Sequence, residues 1–113
     1  MKVSEMVEEF ATVTSQDGTP NLYINLIEEE YKEWQDEVGC GTPKRELKEL
    51  ADLVYVLYGY ARTKGYDLDT AVSRVHENNK GRCIQPDGSI LRNTMGKIIK
   101  NENYKKVYLE DLV

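Results

Sequence analysis

The twelve residues from Leu50 to Ala61 read LADLVYVLYGYA, and their only charge is Asp52. A helix that is apolar on every side is a central helix that other elements must cover. The run is too short to cross a bilayer, so the cover has to be protein. An aspartate in the middle of such a helix is costly unless something neutralises it. No basic residue follows Asp52 within one turn, and Glu49 precedes it by three positions on nearly the same side. Two acids on one buried helix repel each other unless they are protonated or bridged by a cation.

The flanking punctuation predicts four helices. Gly18-Thr19-Pro20 and Gly41-Thr42-Pro43 are the same three letters. Each reads as a helix start, with Thr at the N-cap and Pro at the first helical position. The first helix is expected from about Ser4 to Thr14, with Val3, Met6, Val7, Phe10 and Val13 on one side. The second runs from Pro20 to about Val38 and ends at Gly39-Cys40-Gly41. The third runs from Pro43 to about Lys64, with Gly65 as its stop. The fourth starts near Asp67 or Asp69, carries Leu68, Ala71, Val72 and Val75, and stops at Gly81. Pro86-Asp87-Gly88 is a turn signal that would let Cys83-Ile84 and Ile90-Leu91 pair as a short hairpin. No repeat of the solenoid type is expected, and residues 93–113 read as an irregular arm. The expectation is an all-α, oligomeric four-helix bundle subunit: one domain over 1–113, with a helical core at about 4–81 and an arm at about 82–113.

On a helical wheel, Glu30 falls between Leu26 and the group Tyr23, Ile27 and Trp34, while Glu33 lies close to Leu22 and Leu26. Both glutamates therefore sit in the apolar stripe, with Glu29 at its rim and Glu28 towards solvent. Two neutralisers are available: basic partners among Lys44, Arg45 and Lys48, or a divalent cation. With Glu30 and Glu33 facing Glu49 and Asp52, four carboxylates converge, and such oxygen-rich sites suit Mg²⁺ or Mn²⁺. One His and two distant Cys argue against zinc. Gly59, inside the third helix, implies close approach of another helix or of a ligand.

The net charge is -5, from 20 acidic and 15 basic side chains, against the basic footprint of a nucleic-acid binder. Cys40 and Cys83 lack metal-type spacing and read as free thiols of a reducing cytoplasm. The N-terminal residues MKVSEMVEEF lack the apolar stretch of a signal peptide, and no run is long enough for a membrane span.

E-E-x-x-E at Glu29, Glu30 and Glu33, a spacer, then E-x-x-D at Glu49 and Asp52 resembles the all-α nucleoside triphosphate pyrophosphohydrolase superfamily. LADLVYVLYGYA followed by GYDLDTAVSRVHENNKGR, with Asp87-Gly88, Gly96-Lys97, Lys100, Tyr104 and Asp111-Leu112, is similar to the small, phage-type MazG-like members. That resemblance runs from about Leu26 to the C-terminus. His76 and Asn79 match the H-x-x-N-x-x-K of relatives, but Arg82 replaces the Lys, a planar fork for a point charge. Glu110 stands where relatives often carry Pro.

The resemblance implies hydrolysis of a (d)NTP to (d)NMP and pyrophosphate. Glu30, Glu33, Glu49 and Asp52 would hold Mg²⁺, with Mn²⁺ as substitute, and Glu29 would orient or deprotonate the water. Arg82, Lys97 and Lys100 would hold phosphates, the alternative being a solvated basic tail. Asn79, on the stripe of Val72 and Val75, would meet sugar or base, and Tyr104 belongs to the same substrate-binding set. His76 reads as a packing or capping residue more readily than as an acid–base group. A purine such as dGTP is the first expectation; dUTP, dCTP and phosphoribosyl-ATP are alternatives. A homodimer or homotetramer, in the host cytoplasm if phage-encoded, is expected, with no nucleic-acid or membrane partner. The competing reading of another class is a non-enzymatic helical oligomer acting as a protein-binding module.

Overall fold

The computed structural model describes Met1–Val113. It contains four α-helices, α1 (Val3–Thr14), α2 (Pro20–Cys40), α3 (Pro43–Lys64) and α4 (Leu68–Cys83), then a single 3₁₀ turn at Glu110–Leu112. There is no β-strand, only two isolated antiparallel bridges, Ile84 with Ile90 and Arg92 with Ile98. The chain divides into two compact units, Met1–Leu68 and Asp69–Val113.

In the first unit the helix starts are those the sequence spells. Thr19 Oγ1 accepts from Leu22 N–H at 3.1 Å, and Thr42 Oγ1 accepts from Arg45 N–H at 3.3 Å. Each Thr satisfies a first-turn amide that has no partner within its helix. Gly65 closes α3 in the left-handed region at φ 72°, and Tyr66 N–H reaches back to Ala61 C=O at 2.9 Å. The α2–α3 turn works differently. Gly41 has φ -88°, so no left-handed geometry is required there. What it supplies is room: a Cβ at Gly41 would collide with the Glu37 carboxylate, which folds under the turn. The helix therefore continues through Gly39 and Cys40, two residues past the expected end.

Helix α3 is the axis of this unit and packs against both α1 and α2. The small core is Val7 and Ala11 of α1 with Val56 and Ala61 of α3. Phe10 meets Tyr55 edge to face, ring centroids 6.1 Å apart. The close approach expected at Gly59 is made by the Tyr23 ring of α2, which occupies the space a Cβ would need. Arg62 Nε donates to Glu8 Oε2 at 2.6 Å and Nη2 to Asp17 Oδ1 at 3.3 Å, tying α3 to α1 and to the turn after it. Within the subunit α3 is not covered all round. Leu47, Leu50, Val54 and Leu57 stay 66%, 41%, 39% and 41% exposed. Their 3-4-3 spacing makes one apolar seam along the helix.

In the second unit α4 runs two residues beyond Gly81. Gly81 is a seat rather than a stop, because the hydroxyl end of Tyr104 lies where its Cβ would be. The arm beyond Cys83 is more regular than its sequence suggested. Gly88 N–H bonds Gln85 C=O at 2.8 Å, Gly96 N–H bonds Asn93 C=O at 3.0 Å, and Tyr104 N–H bonds Asn101 C=O at 3.2 Å. These are three tight turns in steps of eight residues. The links between them repeat as well: Leu91 N–H to Cys83 C=O at 2.7 Å, then Ile99 N–H to Leu91 C=O at 3.1 Å. The expected pairing of Ile84 with Ile90 is thus the first step of a zigzag. Gly88 and Gly96, at φ 86° and 83°, supply the left-handed residue of the first two turns. Side chains of α4 strap the arm down. Asn78 Nδ2 donates to Lys105 C=O at 2.8 Å, and Arg74 forks onto Asp111 at 2.6 and 2.9 Å.

Candidate functional site

Oxygens of Glu30 on α2 and of Glu49 and Asp52 on α3 all lie within 4.8 Å of one another. The cause is helical phase: Glu49 and Asp52 are one turn apart on α3, and the packing of α3 on α2 sets them opposite Glu30. Glu33, one turn beyond Glu30, lies outside this three-residue group and is exposed, but it interacts with both Glu30 and Glu49. Glu29 is exposed on α2, as is Glu28.

The group is electrostatically incomplete. Oε2 of Glu30 and Oε2 of Glu49 are buried with no hydrogen-bond partner. Burial, then the neighbouring charges of Glu33 and Asp52, push Glu30 from 4.5 up to about 7. Glu49 is pushed up too, first by burial and then by a hydrogen bond with Glu33. An unpartnered buried carboxylate oxygen is a polar group whose cost nothing yet offsets. A divalent cation with oxygen ligands fits these donors, and Glu30, Glu49 and Asp52 are the residues that could hold it.

The two neutralisers left open by the sequence divide unequally. Arg45 Nη2 is 3.1 Å from Glu37 Oε1, an acid outside the three-residue group. Lys48 does reach it, with Nζ 2.6 Å from Asp52 Oδ2 and 3.9 Å from Glu49 Oε1. Asp52 therefore has a basic partner one turn before it, although none follows it within one turn. The spacing Lys48–Asp52, four apart on a helix, was the available signal. One exposed ammonium does not discharge four acids, and the two buried oxygens remain without partners.

Of the residues expected to bind substrate, Lys100 Nζ donates to Asn79 Oδ1 at 3.3 Å, and Asn101 N–H to the C=O of Arg82 at 2.8 Å. The Arg82 guanidinium stands 3.7 Å from Glu102, and Tyr104 rests on Gly81. Lys97 sits in the second turn of the arm, where Asn93 Oδ1 accepts from its backbone N–H at 3.0 Å. Asn79 is half-buried, but Val72 and Val75, whose stripe it shares, are 52% and 40% exposed. His76 is exposed.

Fold and site together define an all-helical protein with a carboxylate group suited to a divalent cation. Residues 1–79 match the sequence model of the phosphoribosyl-ATP pyrophosphohydrolase family, and the chain belongs to that family. It is accordingly a pyrophosphohydrolase, a hydrolase of phosphoric anhydride bonds within the MazG-like superfamily, which sets aside the non-enzymatic reading of the acids. The match takes in every acid of the site and ends at Asn79; Arg82, Lys97, Lys100 and Tyr104 lie beyond it. No curated protein matches the chain closely enough to count as a relative. No helix is long and apolar enough to cross a membrane.

Proposed function

We propose that the protein hydrolyses nucleoside triphosphates, (d)NTP and water giving (d)NMP and pyrophosphate, with Mg²⁺ as the working cation and Mn²⁺ as a substitute. The observation that carries this reading is the pair of buried, unpartnered oxygens on Glu30 and Glu49, beside Asp52. Glu30, Glu33, Glu49 and Asp52 are the proposed metal-binding residues. The cation supplies positive charge for the triphosphate and acidifies the attacking water. Glu29, on the open rim, orients that water and takes its proton. The water oxygen bonds to the α-phosphorus, the bond from that phosphorus to the α–β bridging oxygen breaks, and pyrophosphate leaves with the electron pair. A bound cation would favour the charged form of Glu30 by offsetting the burial and the neighbouring charges that raise its pKa. Asn79, Arg82, Lys97, Lys100 and Tyr104 are the proposed substrate-binding groups of the second unit.

A purine such as dGTP is the first choice of substrate. Phosphoribosyl-ATP is the second reading, favoured by the family match, and it carries the same triphosphate. A panel of dGTP, dUTP, dCTP, ATP and phosphoribosyl-ATP with Mg²⁺ or Mn²⁺, scored for monophosphate and pyrophosphate, tests both. Orthophosphate as the sole phosphate product would defeat them.

The working form is proposed to be a homodimer or homotetramer. The seam Leu47, Leu50, Val54 and Leu57 supports this, since a second copy is the cover that removes it from water. Val54→Lys is expected to lower the sedimentation mass to that of one chain. A wild-type protein that already sediments as one chain refutes the oligomer.

A further inference from the structure

Beside the carboxylate group, and sharing Glu49 with it, is a cavity of about 510 Å³ lined by Glu37, Thr42, Lys44, Arg45, Lys48 and Glu49. Three of the six are basic, in a chain whose net charge is -5. Each stands differently. Arg45 is held by Glu37 at 3.1 Å, yet its side chain stays 68% exposed. Lys48 leans on Asp52 at 2.6 Å and is also 68% exposed. Lys44 is exposed and makes no ion pair. Excess positive charge facing open space, next to acids that call for a cation, is the polarity a polyphosphate needs. One end of it would share the cation with the carboxylates, and the other would require cationic side chains.

We propose that Lys44, Arg45 and Lys48 form the subsite for the β- and γ-phosphates, and therefore for the departing pyrophosphate. The inference rests on the proposal that a cation-bridged triphosphate is cleaved at the carboxylate group. It deepens that reading by giving the leaving group its own residues on the first two turns of α3. As the α–β bond breaks, the bridging oxygen gains negative charge with the electron pair it keeps, and Lys48 is the ammonium beside the cluster that can neutralise it. Lys48 then exchanges Asp52 for the phosphate oxygen once a cation takes over the aspartate's charge. Glu37 keeps Arg45 aimed into the cavity, and Gly41 leaves the room for Glu37 to do so.

The test is calorimetric titration of inorganic pyrophosphate, and separately of nucleoside monophosphate, into the full chain at fixed excess Mg²⁺. Wild type, Lys44→Ala, Lys48→Ala and Lys48→Arg are compared, with circular dichroism to establish folding. Losing one charge-assisted contact is expected to weaken pyrophosphate binding about tenfold in each alanine variant, with monophosphate binding within about twofold. Lys48→Arg should recover most of the loss. Because Lys44 touches no carboxylate, its variant should keep wild-type Mn²⁺ affinity, which separates phosphate binding from damage to the metal site. Pyrophosphate affinity unchanged in both alanine variants overturns the subsite, as does equal weakening for monophosphate. The binding measurement needs no turnover. A wild type that cleaves no nucleotide defeats the functional reading by itself, and the titration still decides the subsite.

Discussion

Two pairs of acids, one pair in each unit, are treated in opposite ways. In the second, Asp111 lies in the fork of Arg74 and Asp87 accepts from both the N–H and the hydroxyl of Ser89, and both carboxyls are held below their ordinary range by these bonds. In the first, Glu30 and Glu49 each keep a buried oxygen without a partner and are pushed the other way. Partnered acids act as fasteners: Asp111 ties the arm to α4 through Arg74, and Asp87 closes its own turn through Ser89. Acids with unpartnered oxygens are left able to take a cation, the role proposed above for Glu30 and Glu49.

The sharpest way to break this contrast is to neutralise one acid of each kind. Glu30→Gln or Asp52→Asn is expected to cut pyrophosphate release by about 100-fold or more, since even outer-shell partners of metal ligands are worth about 10–100-fold. Asp111→Asn should leave turnover within a few-fold. Equal losses from both would erase the distinction between the two pairs.

The same contrast gives opposite pH signs. Glu30 holds its proton up to about 7 in the folded chain, against an ordinary 4.5. Its contribution to stability is therefore complete below 4.5 and lost as pH rises through about 7. Metal-free protein should lose at most about 3 kcal/mol across that window, with Glu30→Gln flattening the loss and Mg²⁺ reversing it. Asp111 is depressed below 3.8, so its contribution exists above that value and is lost as pH falls through the folded one. Denaturant melts at several pH values, with and without Mg²⁺, measure the first trend; carboxyl chemical shifts in acid measure the second.

Each unit also seats a tyrosine on a helical glycine, and the two seats should differ in cost. Gly59→Ala drives a Cβ into the ring edge of Tyr23, held between helices, and is expected to destabilise by about 1–3 kcal/mol despite Ala's better helix propensity. Gly81→Ala meets the far end of Tyr104 on the arm, which can move aside, so its loss should be smaller. Thermal melts rank the two.

The smallest effect is local. Arg74→Ala releases Asp111 and the C=O of Tyr108. Faster proteolysis within 84–113, with the melting of α1 to α3 unchanged, is the expected readout.

What the sequence made legible was local. Gly-Thr-Pro and Gly65 fixed helix ends to within a residue or two because capping is decided by neighbours in the chain. The meeting of Glu30, Glu49 and Asp52 was also readable, since a carboxylate inside an apolar stripe has few explanations. Lys48 reads in the sequence as a partner for Glu30 and Glu33, yet its four-residue spacing from Asp52 is the pair that forms, because two side chains one turn apart on a helix meet before those of different helices do. The exposure of Leu47, Leu50, Val54 and Leu57 could not be read, since an apolar pattern states what must be covered and not by which chain. Gly81 misled because a glycine that gives room to Tyr104 has the same letter as one that ends a helix.

The zigzag beyond α4 has a consequence for how this segment can change. The turns and the links between them recur after eight residues, and the arm is joined to α4 at set positions, Lys100 to Asn79 and Lys105 to Asn78. An insertion of one or two residues would throw all later grips out of phase, whereas a whole added or deleted octet would preserve the local hydrogen bonding. The arm's length is thus quantised, and tolerated variants should differ by whole steps rather than by single letters.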